Sequence, residues 1–597
     1  MFKGILRKTA ATLFAAAVMF SSTPIPASAG PVPDTVRVGL YYKDSSVNTA
    51  QSIIDLSAQA GIMLGFYRDG NFTEIRRAPG SSVIYIRKDG YYYNSGSGLK
   101  EYNPSVPPAS GVRYGPYHIK IGNDYSDQAT AEAQAALYRQ SGVQAFVAYA
   151  DVWQVWAGSY ESDAAAQAET NNIRNLLGEL GYTVVQPSSA RVIAVDSQYQ
   201  PVCAFVSGSA FFQARPAPEN NPPVINIKGS PYRGAIEVKR LPGSDMTVIN
   251  AVTMQEYLYG NVPPEIGGKS PAEALKAQAI ASKMYVINNM GKHGKTGFDV
   301  CATTSCQVYK GYSGETPQSN AAIDEVKDKV IEYNDRPAAA IFYFASGGGS
   351  TEDVKNVWGS SYPYLVSVED KYEKIYTWTK TLRASDVRAK LPELGNILSV
   401  VITQTAPQTG RVTQLAVTGT SRGEPEYFPR ERTRTLFGLN SQLYTITTDA
   451  DVFAAAVSYA PVASADGTVQ TGTAANTTTT SSQAVDIAPA SNMVPQTDPL
   501  IQLPVSSTPA RTQLGGKKVV TASGVVALTG SNNKITILGA NGNTKKAAVV
   551  PETYTFTGKG WGHAVGMSQE GAIGMGKAGF TYEQILTHYF QGTQIAG

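Results

Sequence analysis

Glu265 is the residue whose neighbours most favour acid–base chemistry. It follows Pro263 and Pro264 and precedes Ile266, which surrounds its carboxyl group with apolar atoms. Such surroundings disfavour the charged form of a carboxyl group and raise its pKa toward the working pH, as a general acid requires. The ordinary alternative is that an isolated loop glutamate is a solvated charge. The residues around Glu265 leave both interpretations open.

Other stretches combine short polar side chains with bare backbone, which lets a ligand approach closely. The candidates for substrate contact are Gln307, Tyr309, Ser346, Gly348, His563 and Gln569, together with Lys283 and Tyr285 on the helix predicted after Glu265. The alternative for the glycines is that they only permit tight turns.

Two helices are predicted to position Glu265, one before it and one after it. Thr253 and Glu256 have the spacing of a capping box at the start of the first helix. The predicted caps of the second helix are Ser270, Pro271 and Glu273, and this helix is expected to run to about Met290. Glu265 is therefore expected in the break between the two helices.

Four separated stretches, taken together and in order, resemble the stage II sporulation protein D/amidase-enhancer family. They contain the sequences NVPPEI (261–266), SCQVYKG (305–311), SGGGSTE (346–352) with NVWG (356–359), and GWGHAVGMSQEGA (560–572). The resemblance covers about half of the chain and implies that Glu265 is the catalytic acid.

The sporulation branch of this family implies a lytic transglycosylase, which cleaves the bond between N-acetylmuramic acid and N-acetylglucosamine in peptide-free glycan without using water. One carboxyl group suffices for this reaction, and no obvious second carboxylate accompanies Glu265 in the sequence. The enhancer branch implies the alternative, a non-catalytic protein that binds glycan and stimulates an N-acetylmuramoyl-L-alanine amidase. Whether the protein is an enzyme stays open between these two branches.

The chain departs from the family at three places. Lys283-Met284-Tyr285 stands where many members have Arg-Thr-Tyr, and lysine lacks the planar fork of arginine. Phe344-Ala345-Ser346 replaces the usual His-Ser-Thr. Some relatives bind zinc through two histidines and two cysteines, whereas here His293, Cys301 and Cys306 are joined by Ser305, a poor zinc ligand. A disulfide between the two cysteines, or free thiols, is favoured over zinc, and no cofactor is expected.

Residues 114–187 contain an internal repeat. Each half reads as a strand, an alanine-rich helix and a second strand, and the helices are predicted at about 126–140 and 162–180. This βαβ-βαβ pattern, which is ferredoxin-like, resembles the SPOR domain, a module that binds glycan stripped of its stem peptides. Exposed aromatic side chains on its sheet could stack on sugar rings, and the alternative is that they are core residues.

The chain opens with basic residues, an apolar run and Ala27-Ser28-Ala29, the pattern of a secretory signal peptide. Without it the chain keeps 47 of its 50 basic residues against 47 acidic ones, a balance that argues against nucleic acid as a partner. No later apolar run is long enough for a transmembrane anchor. The protein is therefore expected to be secreted and associated with the cell wall, with peptidoglycan glycan as its partner.

The predicted fold class is α+β, a main domain of the sporulation protein D type with an inserted SPOR-like module. The segment at 454–512 is rich in Ala, Thr, Ser and Pro and is expected to be a disordered loop. The predicted parts are a signal peptide (1–29), the β-rich start of the main domain (30–113), the SPOR-like module (114–187), the body of the main domain (190–453), the loop (454–512) and the end of the main domain (513–597).

Overall fold

The structure is a computed structural model that describes residues 32–241, 243–422, 424–450 and 550–597, and the backbone of six short strands between 452 and 548. The predicted signal peptide and most of the predicted disordered loop lie outside the described residues. The fold is mixed α+β, as the sequence predicts. No helix in the described part of the chain has the length and hydropathy needed to cross a bilayer.

The first part of the chain forms strands that contribute to three different sheets. They are β1 (Val36–Tyr41), β2 (Ile53–Ser57), β3 (Gly61–Arg68), β4 (Asn71–Pro79), β5 (Val83–Lys88), β6 (Tyr92–Asn94), β7 (Leu99–Glu101) and β8 (Arg113–Tyr114).

The repeat region folds into two helices and four strands. Its elements are β9 (Tyr117–Ile121), α1 (Gln128–Gln140), β10 (Ala145–Ala150), β11 (Trp153–Tyr160), α2 (Asp163–Leu177) and β12 (Tyr182–Val185). Its strands lie in the order β12-β9-β11-β10. Asp127 and Ser162 cap the two helices through their side chains, and Gly178, with a φ of 81°, ends the second.

The tryptophans of this sheet lie in the core. Trp153 and Trp156 are only 9% and 2% exposed. One face packs on α1 and α2, while Trp156 on the other face contacts a cluster that includes Tyr92 and Tyr114 from the small β7-β6-β8 sheet. The core alternative is therefore correct for these residues, because a second layer covers the face that would have stacked on sugar.

The main domain continues with seven strands and then the helices around Glu265. The elements are β13 (Val192–Val195), β14 (Pro201–Val206), β15 (Phe211–Pro216), β16 (Val224–Ile227), β17 (Ser230–Arg233), β18 (Ala235–Arg240), β19 (Met246–Val252), α3 (Met254–Ile266), α4 (Ala272–Asn288), β20 (Val300–Cys301), α5 (Pro317–Glu325), β21 (Val330–Glu332), β22 (Tyr343–Phe344) and α6 (Val354–Val357).

The last elements include strands from both sides of the low-complexity segment. They are β23 (Thr377–Arg383), α7 (Ala384–Lys390), β24 (Ile397–Thr405), β25 (Val412–Gly419), β26 (Glu426–Pro429), α8 (Arg432–Thr435), β27 (Tyr444–Thr448), β28 (Val452–Ala454), β29 (Ala510–Thr512), β30 (Lys518–Thr521), β31 (Gly524–Ala527), β32 (Lys534–Leu538), β33 (Thr544–Ala548), β34 (Thr553–Lys559), β35 (Met567–Ser568), α9 (Gln569–Lys577), α10 (Tyr582–Tyr589) and β36 (Gln594–Ala596).

Two large sheets form the first half of the molecule. One has the order β20-β1-β19-β18-β15-β3-β4, and the other has the order β12-β9-β11-β10-β14-β13-β5-β2-β16-β17. Because β1 pairs with β19, the first strand of the chain lies in the sheet from which α3 departs. The repeat region lies between these two strands in sequence.

Helix α4 is the centre of the second half. Twelve of its 17 residues are buried, many of them alanines, so α3, α5, α9 and α10 can approach it closely on several sides. The apolar core formed in this way also contains Val36 and Val38 of β1. This packing joins the two ends of the chain to the helices around Glu265.

Helix α3 extends further than the sequence predicts. The capping box of Thr253 and Glu256 is present, but the helix continues through both prolines to Ile266, so Glu265 lies in its last turn rather than in a break. Ser270 does not cap α4; its hydroxyl donates to the carbonyl of Ile266 at the end of α3. Helix α4 ends at Asn288, close to the predicted end.

Candidate active site

The prolines of α3 free a backbone carbonyl that bonds a distant segment of the chain, and this contact positions Glu265. Pro264 has no N–H to bond the Gly260 carbonyl one turn earlier. The Lys310 amide bonds that carbonyl instead, at 3.0 Å. Glycine is required at 260, because an added Cβ would lie 2.9 Å from the Gly311 carbonyl oxygen. The chain at 308–311 therefore packs directly on the end of the helix.

Two side chains of α3 hold the backbone of Val308. Asn261 Nδ2 donates to the Val308 carbonyl at 3.0 Å, and the Val308 amide donates to Glu265 Oε1. Gln569 Nε2, at the start of α9, lies 3.4 Å from Glu265 Oε2. Glu265 is thus oriented by one backbone amide and one side-chain amide from distant parts of the chain.

Burial dominates the electrostatics of Glu265. The loss of solvent raises the pKa of its carboxyl group, and the hydrogen bonds from Val308 and Gln569 oppose this effect without reversing it. The side chain is half-buried. Glu265 therefore has the elevated pKa predicted from its apolar neighbours.

Glu265 opens on a cavity of about 350 Å³, a size in the range of small-molecule sites. Trp561 is 54% exposed here, so its indole can stack on the apolar face of a sugar ring. The residues that line the cavity are Glu265, Ile266, Ala345, Tyr376, Trp561, Gln569, Glu570 and Ile573.

A second carboxylate, Glu570, lines the same cavity, which the sequence did not indicate. Its Oε1 accepts a hydrogen bond of 2.7 Å from the Tyr376 hydroxyl. The segment around Glu570 was part of the family resemblance, but only the packing of α9 against α4 shows that Glu570 lies near Glu265.

Gln307 and Tyr309 lie behind Glu265 and outside the cavity lining. Both are buried. Gln307 is held between Tyr257 and Tyr343 by hydrogen bonds of 2.6 and 2.7 Å. The Tyr309 hydroxyl donates to Asn250 at 2.6 Å, and its ring stacks on Tyr257. Their observed contacts support the segment that holds Glu265.

Ser346 and Gly348 belong to a glycine loop that is organised by Glu373. The Glu373 carboxylate accepts bonds from the Ser346 hydroxyl and from the amides of Gly347 and Gly349. Gly348 has a φ of 80°, which favours glycine. Sequence reasoning missed Glu373, because nothing in its own segment distinguishes it from a surface acid. Ser346 is buried, and neither residue lines the cavity.

His563 contacts aromatic rings and is not among the residues that line the Glu265 cavity. Its Nδ1 accepts the Val565 amide at 3.0 Å, and its ring centre lies 4.9 Å from that of Trp358 and 5.7 Å from that of Phe344. Burial lowers the pKa of His563 to about 3, so it is neutral and unsuited to carry a charge at neutral pH. Of the candidates in its stretch, Gln569 alone touches Glu265.

Lys283 points away from the cavity. It is buried, and its ammonium donates to the carbonyls of Val326, Lys327 and Lys329, just beyond the end of α5. Burial lowers its pKa to about 8. These bonds occupy all three donors of the ammonium group, so the observed role of Lys283 is to hold the chain after α5 against α4.

Tyr285 faces a group of cysteine, histidine and lysine side chains. His293, Cys301 and Cys306 offer ligand atoms that lie within 4.8 Å of one another. The Lys292 ammonium donates to the Tyr285 hydroxyl and to the Ser305 carbonyl at 3.2 and 3.1 Å. This group of described residues provides three zinc ligands rather than four. The adjacent Lys292 ammonium would also repel a bound zinc ion.

The two sulfur atoms of this group lie within 4.8 Å of each other. Their interaction lowers the pKa of Cys301 and raises that of Cys306. Both cysteines are free in the structure, as is buried Cys203. Two neighbouring thiols are the groups from which an oxidant forms a disulfide.

Comparisons with known proteins find a family match in the segment that contains Glu265. Residues 242–333, which include α3, Glu265 and α4, match the family model SpoIID, described as stage II sporulation protein. This region is therefore similar to the stage II sporulation protein family, and the chain is similar to proteins named amidase enhancer and stage II sporulation protein D.

Three relatives show the extent of the similarity. The chain is 29% identical over 340 residues to the amidase enhancer of Bacillus subtilis (strain 168), covering 57% of this chain and 40% of that protein. It is 30% identical over 161 residues to stage II sporulation protein D of the same organism, covering 24% of this chain and 47% of that protein. An uncharacterized protein of Brachyspira hyodysenteriae is 30% identical over 200 residues, covering 32% of this chain and 54% of that protein. The chain therefore spans about half the length of these relatives.

Proposed function

We propose that this protein is a lytic transglycosylase that cleaves the bond between N-acetylmuramic acid and N-acetylglucosamine in peptide-free glycan strands. The observation that carries the proposal is Glu265, a half-buried carboxyl group with a raised pKa at the edge of an open cavity. A raised pKa keeps the proton available for transfer to a leaving oxygen.

In the proposed reaction Glu265 transfers its proton to the glycosidic oxygen as the bond to the muramic C1 breaks. The resulting carboxylate then removes the proton from the C6 hydroxyl of the same muramic residue as that oxygen bonds to C1. The products are a 1,6-anhydro-muramic end and a free N-acetylglucosamine end, and Glu265 regains its proton. No water is consumed, in contrast to the hydrolytic two-carboxylate scheme.

The residues around Glu265 suit both halves of this cycle. The Val308 amide and Gln569 donate to its two oxygens, so they stabilise the carboxylate formed in the first half. The apolar side chains of Ile266 and Ile573 line the cavity and favour the neutral acid before transfer. Trp561 offers a face on which the sugar ring can stack.

The decisive experiment replaces Glu265 with Gln, which keeps the shape of the side chain and removes the transferable proton. We expect Glu265→Gln to lower the formation of anhydro products from amidase-treated glycan by at least about a hundredfold. Glycan binding should stay close to that of the wild type. Glu369→Gln, at an exposed position, is the matched control. Wild-type cleavage by Glu265→Gln would remove Glu265 from the mechanism.

A second candidate function is that of an amidase enhancer. The similarity to the amidase enhancer extends over 340 residues, about twice the length matched by the sporulation protein. In this case neither the wild type nor Glu265→Gln would release anhydro products, and both would stimulate an N-acetylmuramoyl-L-alanine amidase. The same preparation therefore separates the two functions.

We also propose that the 114–187 region is a SPOR-like module in an exported, wall-associated protein. Its two helices and its strand order β12-β9-β11-β10 support this proposal. Because the tryptophans of its sheet are buried, contact with glycan would have to use other side chains.

A further inference from the structure

We propose that the cavity beside Glu265 recognises a primary ammonium group, namely the free amine of a glucosamine residue that lacks its acetyl group. This inference rests on the proposed function for the nature of the strand. It adds that the substrate is glycan carrying unacetylated amino sugars. The group that selects it is Glu570.

Glu570 is placed to present its carboxylate to a ligand. Its backbone amide donates a hydrogen bond of 3.0 Å to the Ala345 carbonyl. Glu570 lies in the first turn of α9 and lines the cavity. The helix N-terminus favours a negative charge there. Within the described residues, no lysine or arginine nitrogen lies within 4 Å of this carboxylate. The negative charge is therefore available to a cation in the cavity.

Aromatic side chains complete the environment that an ammonium group prefers. Tyr376 donates to Glu570 at 2.7 Å and Trp561 lies on the same cavity with half of its surface exposed. A cavity that contains a carboxylate and electron-rich rings attracts cations through both charge and cation–π interaction. Because the bond to Glu570 raises the pKa of Tyr376, this hydroxyl stays protonated and orients the carboxylate.

The charges around the cavity point to the same ligand. None of the residues that line it is basic. The ammonium group of Lys374 lies 5.3 Å from the centre of the Tyr376 ring, but Lys374 does not line the cavity. A neutral acetamido group could donate a single N–H bond to Glu570, whereas an ammonium group at the same sugar carbon would add a full opposite charge and further N–H donors.

A primary ammonium group in the cell wall could come from an amino sugar or from the side chain of a stem peptide. The geometry favours the sugar, because Trp561 and Glu265 act on a sugar ring in the same cavity and the proposed substrate lacks peptides. Separate probes distinguish these sources.

The test measures binding to the full chain by calorimetry at mildly acidic pH and low salt. The probes are the hexasaccharides of glucosamine and of N-acetylglucosamine, and a lysine-containing stem tripeptide. We expect the wild type to bind the glucosamine hexasaccharide about fivefold more tightly than its acetylated counterpart, with the preference falling in high salt. In Glu570→Gln the ratio of the two affinities should fall to about one, whereas Glu369→Gln should keep the wild-type ratio.

Equal affinities of the wild type for the two hexasaccharides would overturn the inference, as would an unchanged ratio in Glu570→Gln. Tripeptide binding that depends on Glu570, without any preference between the hexasaccharides, would assign the cavity to a peptide amine and also overturn it. The affinity ratio needs no cleavage, so failure to release anhydro products would defeat the proposed function alone. Melting temperatures confirm that each variant is folded.

Discussion

At the scale of single residues, the chemistry of Glu265 depends on the water that its neighbours exclude and on the hydrogen-bond donors that they supply. Ile266 and the packing of α3 remove water from the carboxyl group, while Val308 and Gln569 supply two donors. Removal of water has the larger effect, so the pKa is raised. A glutamate on an open surface would not lose its water in this way, so burial would not raise its pKa.

The raised pKa predicts a pH-dependent stability difference between the wild type and Glu265→Gln. As pH rises from the ordinary value of 4.5 toward the raised pKa, the unfolded chain loses this proton before the folded chain does. The wild type therefore loses stability with rising pH, and the Gln variant does not. We expect the melting temperature of the variant, relative to the wild type, to rise over this interval.

The measurement is calorimetric melting at a series of pH values. Below the ordinary pKa of glutamate both chains carry a neutral side chain, so the difference measured there is the reference. A difference that stays constant would show that folding leaves the pKa of Glu265 unshifted, and one that falls as pH rises would show that the folded protein favours the carboxylate.

Lys283 shows that a residue of a family motif can serve the fold instead of the substrate. Replacing it with Met removes three bonds to carbonyl groups after α5, of which the Val326 carbonyl keeps its bond from the Lys329 amide. We expect the free energy of unfolding to fall by about 2–4 kcal/mol. Lys276→Met on the same helix removes ion pairs with Glu273 and Glu325 and a 5.9 Å contact with the Tyr582 ring, and should cost about 1 kcal/mol or less.

Urea unfolding checks both values, and glycan binding by the folded Lys283 variant should equal that of the wild type. Normal stability combined with weaker glycan binding would return Lys283 to the substrate cleft.

At the scale of elements, the end of α3 is defined by a contact with a distant segment. The two prolines give up helical hydrogen bonds, and the freed Gly260 carbonyl is bonded by Lys310. Asn261 adds a bond to Val308, whose amide in turn holds Glu265. The helix and the 308–310 segment form one unit that sets the direction of the carboxyl group.

This coupling predicts that Asn261→Ala impairs catalysis from a position outside the cavity lining. The variant should be destabilised by about 1–2 kcal/mol and should form anhydro products about tenfold more slowly, with little change in KM. Asn288→Ala is the matched control, because Asn288 donates a bond of the same length, 3.0 Å, to the Ala338 carbonyl. Equal rates for the two variants, at equal loss of stability, would contradict the positioning role of Asn261.

At the scale of the whole molecule, the site is assembled from both halves of the chain. Gln569 and Glu265 are 304 residues apart in sequence. Strand β34 pairs with β23 on one side and β27 on the other, and β36 pairs with β21, so the last segment is built into the main domain. The predicted return of the chain to the main domain is consistent with these pairings.

Glycan binding by the whole protein has two proposed sources, the cleft and the SPOR-like region. We expect stronger retention on amidase-stripped sacculi than on intact sacculi. Trp561→Ala should weaken retention about threefold to tenfold, because it removes the exposed stacking face. Trp358→Ala, at a site that is 37% exposed and outside the cavity, is the matched control.

Sedimentation of the protein with the two kinds of sacculi measures these effects. A preference for stripped sacculi that persists in Trp561→Ala would be assigned to the 114–187 region. Equal retention of the wild type on both kinds of sacculi would defeat the SPOR-like proposal, and unchanged retention of Trp561→Ala would defeat stacking in the cleft.

The sequence by itself determined the local features of this protein. The capping box at Thr253 and the helices of the repeat region depend on neighbouring residues and on spacing, so they could be predicted. The family to which the segment around Glu265 is similar could be predicted for the same reason. The apolar setting of Glu265 was also local, because Ile266 and the prolines adjoin it in sequence.

Only the tertiary structure decided which side chains share the cavity and which are core. Glu570 reaches the Glu265 cavity through the packing of α9 on α4, and Trp561 reaches it through backbone pairing with Ser346. Lys283 turns to the carbonyls after α5, and Trp156 is covered by a second layer. The physical reason is that burial and pairing depend on contacts between residues hundreds of positions apart. Such contacts leave no periodic pattern in either of the segments they join.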